Sequence, residues 1–185
     1  MPLVAIQLLW LNVVTDGIQD FALSFEKAEQ GILKEKPRDP KESIFNKKLL
    51  KEILVSGLVI GGVVFAVWYI LLNKFNMEVS MARGYIMALM VFIQNIHVFN
   101  CRSEHKSAFS VPIKNNWLIV GGVVVSIILQ IIVMEVPFLS KFLQTTSVPF
   151  IHLIYLFLIA LIVLVVMEIY KKINNSIKKD NILHR

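Results

Sequence analysis

LVAIQLLWLNVVTDGIQDFALSF, residues 3–25, is the stretch on which the fold turns. It is apolar throughout except for two acids, Asp16 and Asp20, and a few uncharged polar side chains. With its acids in water it would be a surface helix opening a soluble domain. With its acids turned inward it is long enough to cross a bilayer, which takes roughly 20 mostly apolar residues at about 1.5 Å each. The rest of the chain decides between the two.

Outward from that stretch, residues 53–72, 84–101, 115–134 and 142–167 contain no Asp, Glu, Lys or Arg, and each has the length of a membrane span. The longest crosses if it tilts. Of the 185 residues, 56% are hydrophobic and 17% charged, against about 25% charged in an average soluble domain. A chain this short cannot wrap four such helices in soluble protein. The single cysteine, Cys101, excludes an intrachain disulfide and any thiolate metal cluster. Next to Arg102 at a membrane boundary it reads as an inert thiol. The N-terminus has no basic region of the kind that starts a signal peptide and opens at once into apolar sequence, as though something upstream were cut away.

Lysine and arginine positions test the number of spans. If residues 3–25 cross, 16 of the 19 basic residues fall on one side: Lys27 through Lys51, then Arg102, Lys106 and Lys114, then Lys171 through Arg185. Only Lys74, Arg83 and Lys141 fall on the other. Such an asymmetry marks the cytoplasmic face, and it vanishes if the first segment stays out of the membrane. The expectation is an all-α polytopic bundle of five transmembrane helices, N-terminus outside and C-terminus cytoplasmic, in the cell membrane. Its parts are a first span over 1–25, a cytoplasmic loop over 26–50, four more spans within 51–170, and a basic cytoplasmic tail over 171–185. The net charge of +6 belongs to those loops and calls for no nucleic-acid partner. Trp68, Tyr69, Tyr85, Trp117 and Tyr170 fall near span ends, where amphipathic rings favour the interface. Gly57, Gly61 and Gly62, and then Gly121 and Gly122, predict close helix packing.

A carboxylate inside a span costs at least about 2.5–3.5 kcal/mol, so it faces a site or a partner. Asn12, Thr15 and Asp16 recur at i, i+3 and i+4, the spacing of one helical face, and offer only oxygen donors. That set suits a hard cation such as Ca²⁺. Gly17 beside them predicts that the helix opens there and frees backbone carbonyls. Asp20, one turn on, extends the polar path or pairs with a basic group.

These residues also carry a resemblance. QLLWLNVVTDG (7–17) resembles the sixth transmembrane helix of P-type cation-transporting ATPases, the calcium-pump branch in particular. KPRDPKESIF (36–45) is similar to the loop that follows it, and NCRSE (100–104) to the cytoplasmic end of the eighth helix. The likeness runs over essentially the whole chain as helices six to ten, the last two by hydropathy and order alone. By resemblance, Asn12, Thr15 and Asp16 coordinate the transported ion, and Gln94 stands where calcium pumps of the sarcoplasmic-reticulum type place a Glu. An amide oxygen without charge implies one ion per cycle. His97, one turn later, stands where the family has Asn or Asp; it either faces the site or, the favoured reading, hydrogen-bonds between helices. Arg38, Asp39 and Glu42 fall in the family's bridge to the phosphorylation domain. The implied cycle exchanges the cation at Asp16 for protons.

The phosphorylated Asp-Lys-Thr-Gly sequence, a Gly-rich nucleotide loop and the Thr-Gly-Glu-Ser actuator motif do not occur. The expectation is therefore the ion-translocating part of an ATP-driven pump, a fragment or a split gene product that does not hydrolyse ATP by itself. The implied partners are the lipid bilayer and the pump's phosphorylation, nucleotide-binding and actuator domains with helices one to five. ATP and Mg²⁺ would act only through those domains. Ca²⁺ is the expected cargo, with Na⁺, K⁺, Mn²⁺ or H⁺ as alternatives. A small secondary transporter or an anchor is the competing class. The first usually shows internal repeats, which are not found, and the second has no use for Asp16 inside a span.

Overall fold

The computed structural model describes residues 1–27, 47–103 and 106–183, and all regular structure among them is helical. Residues 36–45, Glu104 and Arg185 lie outside the described residues, and with them Arg38, Asp39 and Glu42. Among the described residues four helices are long and apolar enough to cross a membrane: Leu49–Asn73, Val79–Cys101, Trp117–Glu135 and Phe150–Asn174. They belong to α3 (Lys47–Asn73), α4 (Val79–Cys101), α5 (Trp117–Glu135) and α7 (Phe150–Leu183). A short α6 (Pro137–Phe142) starts on its proline, whose fixed φ and missing N–H suit the first helical position.

The first segment is built in three pieces: α1 (Ala5–Leu11), a π-helical turn (Asn12–Gly17) and α2 (Ile18–Leu23). It stands beside α4 and is tied to it at both ends. Arg83 Nε donates to Met1 O at 3.2 Å, and Arg102 forms a two-pronged ion pair with Glu26 at 2.8 and 2.9 Å. The 19 residues from Arg83 to Arg102 rise about 29 Å along a helix, close to the roughly 30 Å of a bilayer's hydrocarbon core. The first segment covers the same height.

α4 is the central helix, with 72% of its most apolar stretch buried. Ala82, Ile86, Leu89, Ile93 and Ile96 recur at helical spacing and pack on Leu156, Ala160, Val163 and Met167 of α7. α3 is peripheral and presents mostly apolar side chains outward. Asn116 joins α5 to the first segment. Its Oδ1 accepts from Leu118 N at 3.1 Å, capping α5, and its Nδ2 donates to Ala22 O at 2.7 Å.

Several boundaries and contacts differ from the sequence reading. α3 begins at Lys47, inside the expected loop, and α7 runs through the expected tail to Leu183. No Gly or Pro follows Tyr170 to stop that helix. Lys171, read as part of a solvated basic cap, is buried, and its Nζ donates to Asn100 O and Ser103 O, each at 2.6 Å. It thereby satisfies carbonyls at the C-terminus of α4, where a positive charge is favoured. A Cβ added at Gly57, Gly61, Gly62 or Gly121 would meet nothing within 4 Å, so among the described residues these glycines admit no close neighbour. Gly122 and Gly84 do. Tyr85 is no interfacial ring: it is buried, with its hydroxyl 2.6 Å from His152 Nδ1.

Candidate functional site: an oxygen cluster on a broken helix

Gln7 fixes the start of the first segment. Its Oε1 accepts from Val4 N at 3.0 Å, and its Nε2 reaches Gln144 O at 2.9 Å. One turn before the acid the helix widens into the π turn. A π turn inserts an extra residue and shifts the faces of everything after it; such bulges recur at functional sites. Gly17 does not open the helix as expected. It closes the turn, and a Cβ there would lie 3.4 Å from Asn12 O.

The widened turn splits the expected triad. Thr15 is fully buried and faces α4, whereas Asn12 and Asp16 stand on the exposed side with Asp20 a turn beyond. Thr15 Oγ1 lies 2.6 Å from Leu11 O and 2.7 Å from Gln94 Oε1. A hydroxyl has one proton to give, so only one of these acceptors is served at a time. Asp16 Oδ1 lies 3.5 Å from Thr15 Oγ1 and 3.4 Å from Gln94 Nε2. Thr15 Oγ1 thus stands between two acceptor oxygens with one proton to share, while the Asp16 carboxylate beside it meets the amide nitrogen of Gln94. That is the arrangement a hard cation relieves, and neutral oxygens with one carboxylate match its ligand preference. Ca²⁺ takes six to eight oxygens. The cluster offers fewer than that, and Asn12 and Asp16 stand on its exposed side.

The other predicted residues are not gathered in. Asn12 makes no side-chain hydrogen bond, and Asp20 no ion pair, with any described residue. The expected interhelical hydrogen bond of His97 is absent at Nδ1, which is buried and has no partner among the described residues. No group of three or more His, Cys, Asp or Glu side chains converges among them either.

Behind the cluster lies a polar set that sequence reasoning passed over. Gln19, Asn95, Ser126 and Gln130 are all buried. Gln19 Nε2 donates to Asn95 Oδ1 at 2.5 Å, Asn95 Nδ2 to Ser126 Oγ at 2.9 Å, and Trp10 Nε1 to Gln130 Oε1 at 2.9 Å. The signal was available: Gln19 is one turn past Thr15, Asn95 adjoins Gln94, and Ser126 and Gln130 are an i, i+4 pair in an otherwise apolar span.

Residues 1–173 match the family described as cation transporting ATPase, C-terminus. The chain is 36% identical over 148 residues to a calcium-transporting ATPase of Bacillus subtilis (strain 168), covering 80% of this chain and 16% of that protein. It is 32% identical over 181 residues to the human calcium-transporting ATPase type 2C member 1, covering 96% and 19%. It is 30% identical over 186 residues to calcium-transporting ATPase 1 of Bacillus cereus, covering 92% and 21%. It therefore spans about a fifth of the length of these relatives.

Proposed function

The chain belongs to the family of cation-transporting ATPase C-terminal regions, and from that premise we propose that it is the ion-conducting membrane part of a Ca²⁺ pump. The observation that carries this reading is the cluster of Thr15 Oγ1, Asp16 Oδ1 and Gln94 Oε1 on the π turn and α4. Thr15, Asp16 and Gln94 bind the ion directly. Asn12 joins them from the exposed side, and Asp20 and His97, each a turn farther along its helix, line the ion's approach. The missing ligands come from helices outside this chain that close over Asn12 and Asp16, the family's fourth and fifth. ATP, Mg²⁺ and the phosphorylated Asp act in the pump's remaining domains. One carboxylate against a divalent ion supports a stoichiometry of one.

The basic end of the bundle, with Lys27, Arg102, Lys114 and Lys171, is cytoplasmic in this reading, and the N-terminus lies outside. Phosphorylation of the complete pump in the presence of Ca²⁺ tests the site. Asp16→Asn keeps the shape and removes the charge. It should raise half-saturating Ca²⁺ by roughly 100-fold, equivalent to about 3 kcal/mol of binding free energy. Unchanged Ca²⁺ dependence would remove Asp16 from the site. Stimulation by Na⁺ or K⁺, with none from micromolar Ca²⁺, would overturn the choice of ion.

A further inference from the structure

We propose that the buried chain Gln19–Asn95–Ser126 is the positioning device of the cation site, holding the π turn at a fixed height against α4 so that Thr15 and Asp16 meet Gln94. The proposal rests on the pump reading and adds residues that do not touch the ion.

The ligands cannot hold their own register. Thr15 divides one proton between Leu11 O and Gln94 Oε1, and Gln94 also reaches toward Asp16 at 3.4 Å. These contacts must loosen each time an ion enters or leaves. A second set of bonds behind them has no such competition. Asn95 uses both N–H donors and the oxygen of its amide: Oδ1 accepts from Gln19, and Nδ2 donates to Val91 O and to Ser126 Oγ, both at 2.9 Å. Gln19 is 4%, Asn95 2% and Ser126 0% exposed, so water offers no substitute partner.

Each member is next to what it would position. Gln19 follows Thr15 by one helical turn, and Asn95 adjoins Gln94. Ser126 brings in α5, which approaches α2 closely at Gly122: a Cβ there would lie 3.0 Å from Ile18 Cγ2 and 3.5 Å from Gln19 Oε1. The Gln19 amide is thus confined between α5 and Asn95. Its Oε1 is buried without a partner among the described residues, so the amide is held by one bond, which a slip of α2 along α4 by one turn, about 5.4 Å, would break. The bond therefore favours the register that sets Thr15 opposite Gln94.

A positioning role differs from plain stabilisation in which kinetic quantity it moves. Gln19→Met keeps the length of the side chain and removes its hydrogen bond. In the complete pump it should raise half-saturating Ca²⁺ roughly tenfold while the phosphoenzyme level at saturating Ca²⁺ stays within about twofold. Asn95→Leu should act in the same direction, and Gln19→Met with Asn95→Leu should be no worse than Asn95→Leu alone, since coupled residues are not additive. An unchanged Ca²⁺ dependence in Gln19→Met, or a collapse of its phosphoenzyme at saturation, overturns the proposal. So does a double variant whose effect equals the product of the two singles. A wild-type pump without any Ca²⁺-dependent phosphoenzyme would instead overturn the pump reading, which keeps the two failures apart.

Discussion

A hydroxyl caught between two acceptors is the least settled group at the site, and Thr15 is in that position. Its Oγ1 can serve Leu11 O at 2.6 Å or Gln94 Oε1 at 2.7 Å, and a cation bound alongside would take the lone pairs left over. The chemistry that matters is therefore the oxygen and not the β-branch. Thr15→Val preserves shape and burial but removes the oxygen, and it should raise half-saturating Ca²⁺ in the complete pump by about tenfold. Thr15→Ser keeps the oxygen and should stay within about threefold of wild type. Equal losses in Val and Ser variants would mean that the methyl, through packing, is what the site uses. Thr15 and Asp16 were legible in the sequence because a carboxylate and a run of oxygen donors are conspicuous in an apolar span. The division of Thr15 to the inside and Asn12 and Asp16 to the outside was not. It follows from the π turn, and no residue type announces one extra residue in a turn.

Glycines show the same limit at the level of elements. Gly57, Gly61 and Gly62 carry the spacing that permits close packing, yet nothing described comes within 4 Å of where their side chains would be. Spacing says that a surface can be approached and says nothing of what approaches it. Gly84 carries the same kind of spacing, with Ser80 four residues before it and Ala88 four after. A Cβ there would stand 2.6 Å from Thr146 Oγ1, 3.0 Å from Thr146 O and 3.2 Å from Thr146 N, and the last two are backbone atoms that cannot swing aside. Gly84→Ala should therefore lower stability by about 1–3 kcal/mol, the usual cost of overpacking. Gly61→Ala, in open space in the middle of α3, should leave stability unchanged or raise it by up to about 1 kcal/mol, the helix-propensity gain of Ala over Gly. Thermal unfolding of the purified protein in detergent reads both, and equal shifts would remove the Gly84–Thr146 contact as the cause. The four long spans were legible because charge-free stretches are set by the solvent, lipid, rather than by neighbours. Where α7 ends was not, since hydropathy marks where a helix leaves lipid and not where its hydrogen bonding stops. The central place of α4 was hidden for a related reason: its charge-free length of 18 residues hardly differs from the 20 of α3 and of α5, and only their packing makes it the core.

At the scale of the whole molecule, everything depends on the first segment standing parallel to α4 through the full height of the bundle. Two tethers fix that orientation. Arg83 holds Met1 O at one end, and at the other Arg102, itself buried, holds Glu26 while also donating to Val111 O at 3.2 Å and Pro112 O at 3.0 Å. One guanidinium thus gathers the end of the first segment, the end of α4 and the approach to α5 at a single level, so all three leave the bundle on one face. The basic residues Lys27, Lys106 and Lys114 leave with them, whereas Lys141 stands beyond α5 at the opposite end. If charge sets the orientation, the first face is cytoplasmic. In a Cys101→Ser background, a membrane-impermeant maleimide applied to intact cells should label Lys141→Cys and leave Lys114→Cys unlabelled until the membrane is opened. The reversed pattern would turn the bundle over. Labelling of both positions from outside would place residues 114 and 141 on one face, which an α5 that crosses the membrane does not allow.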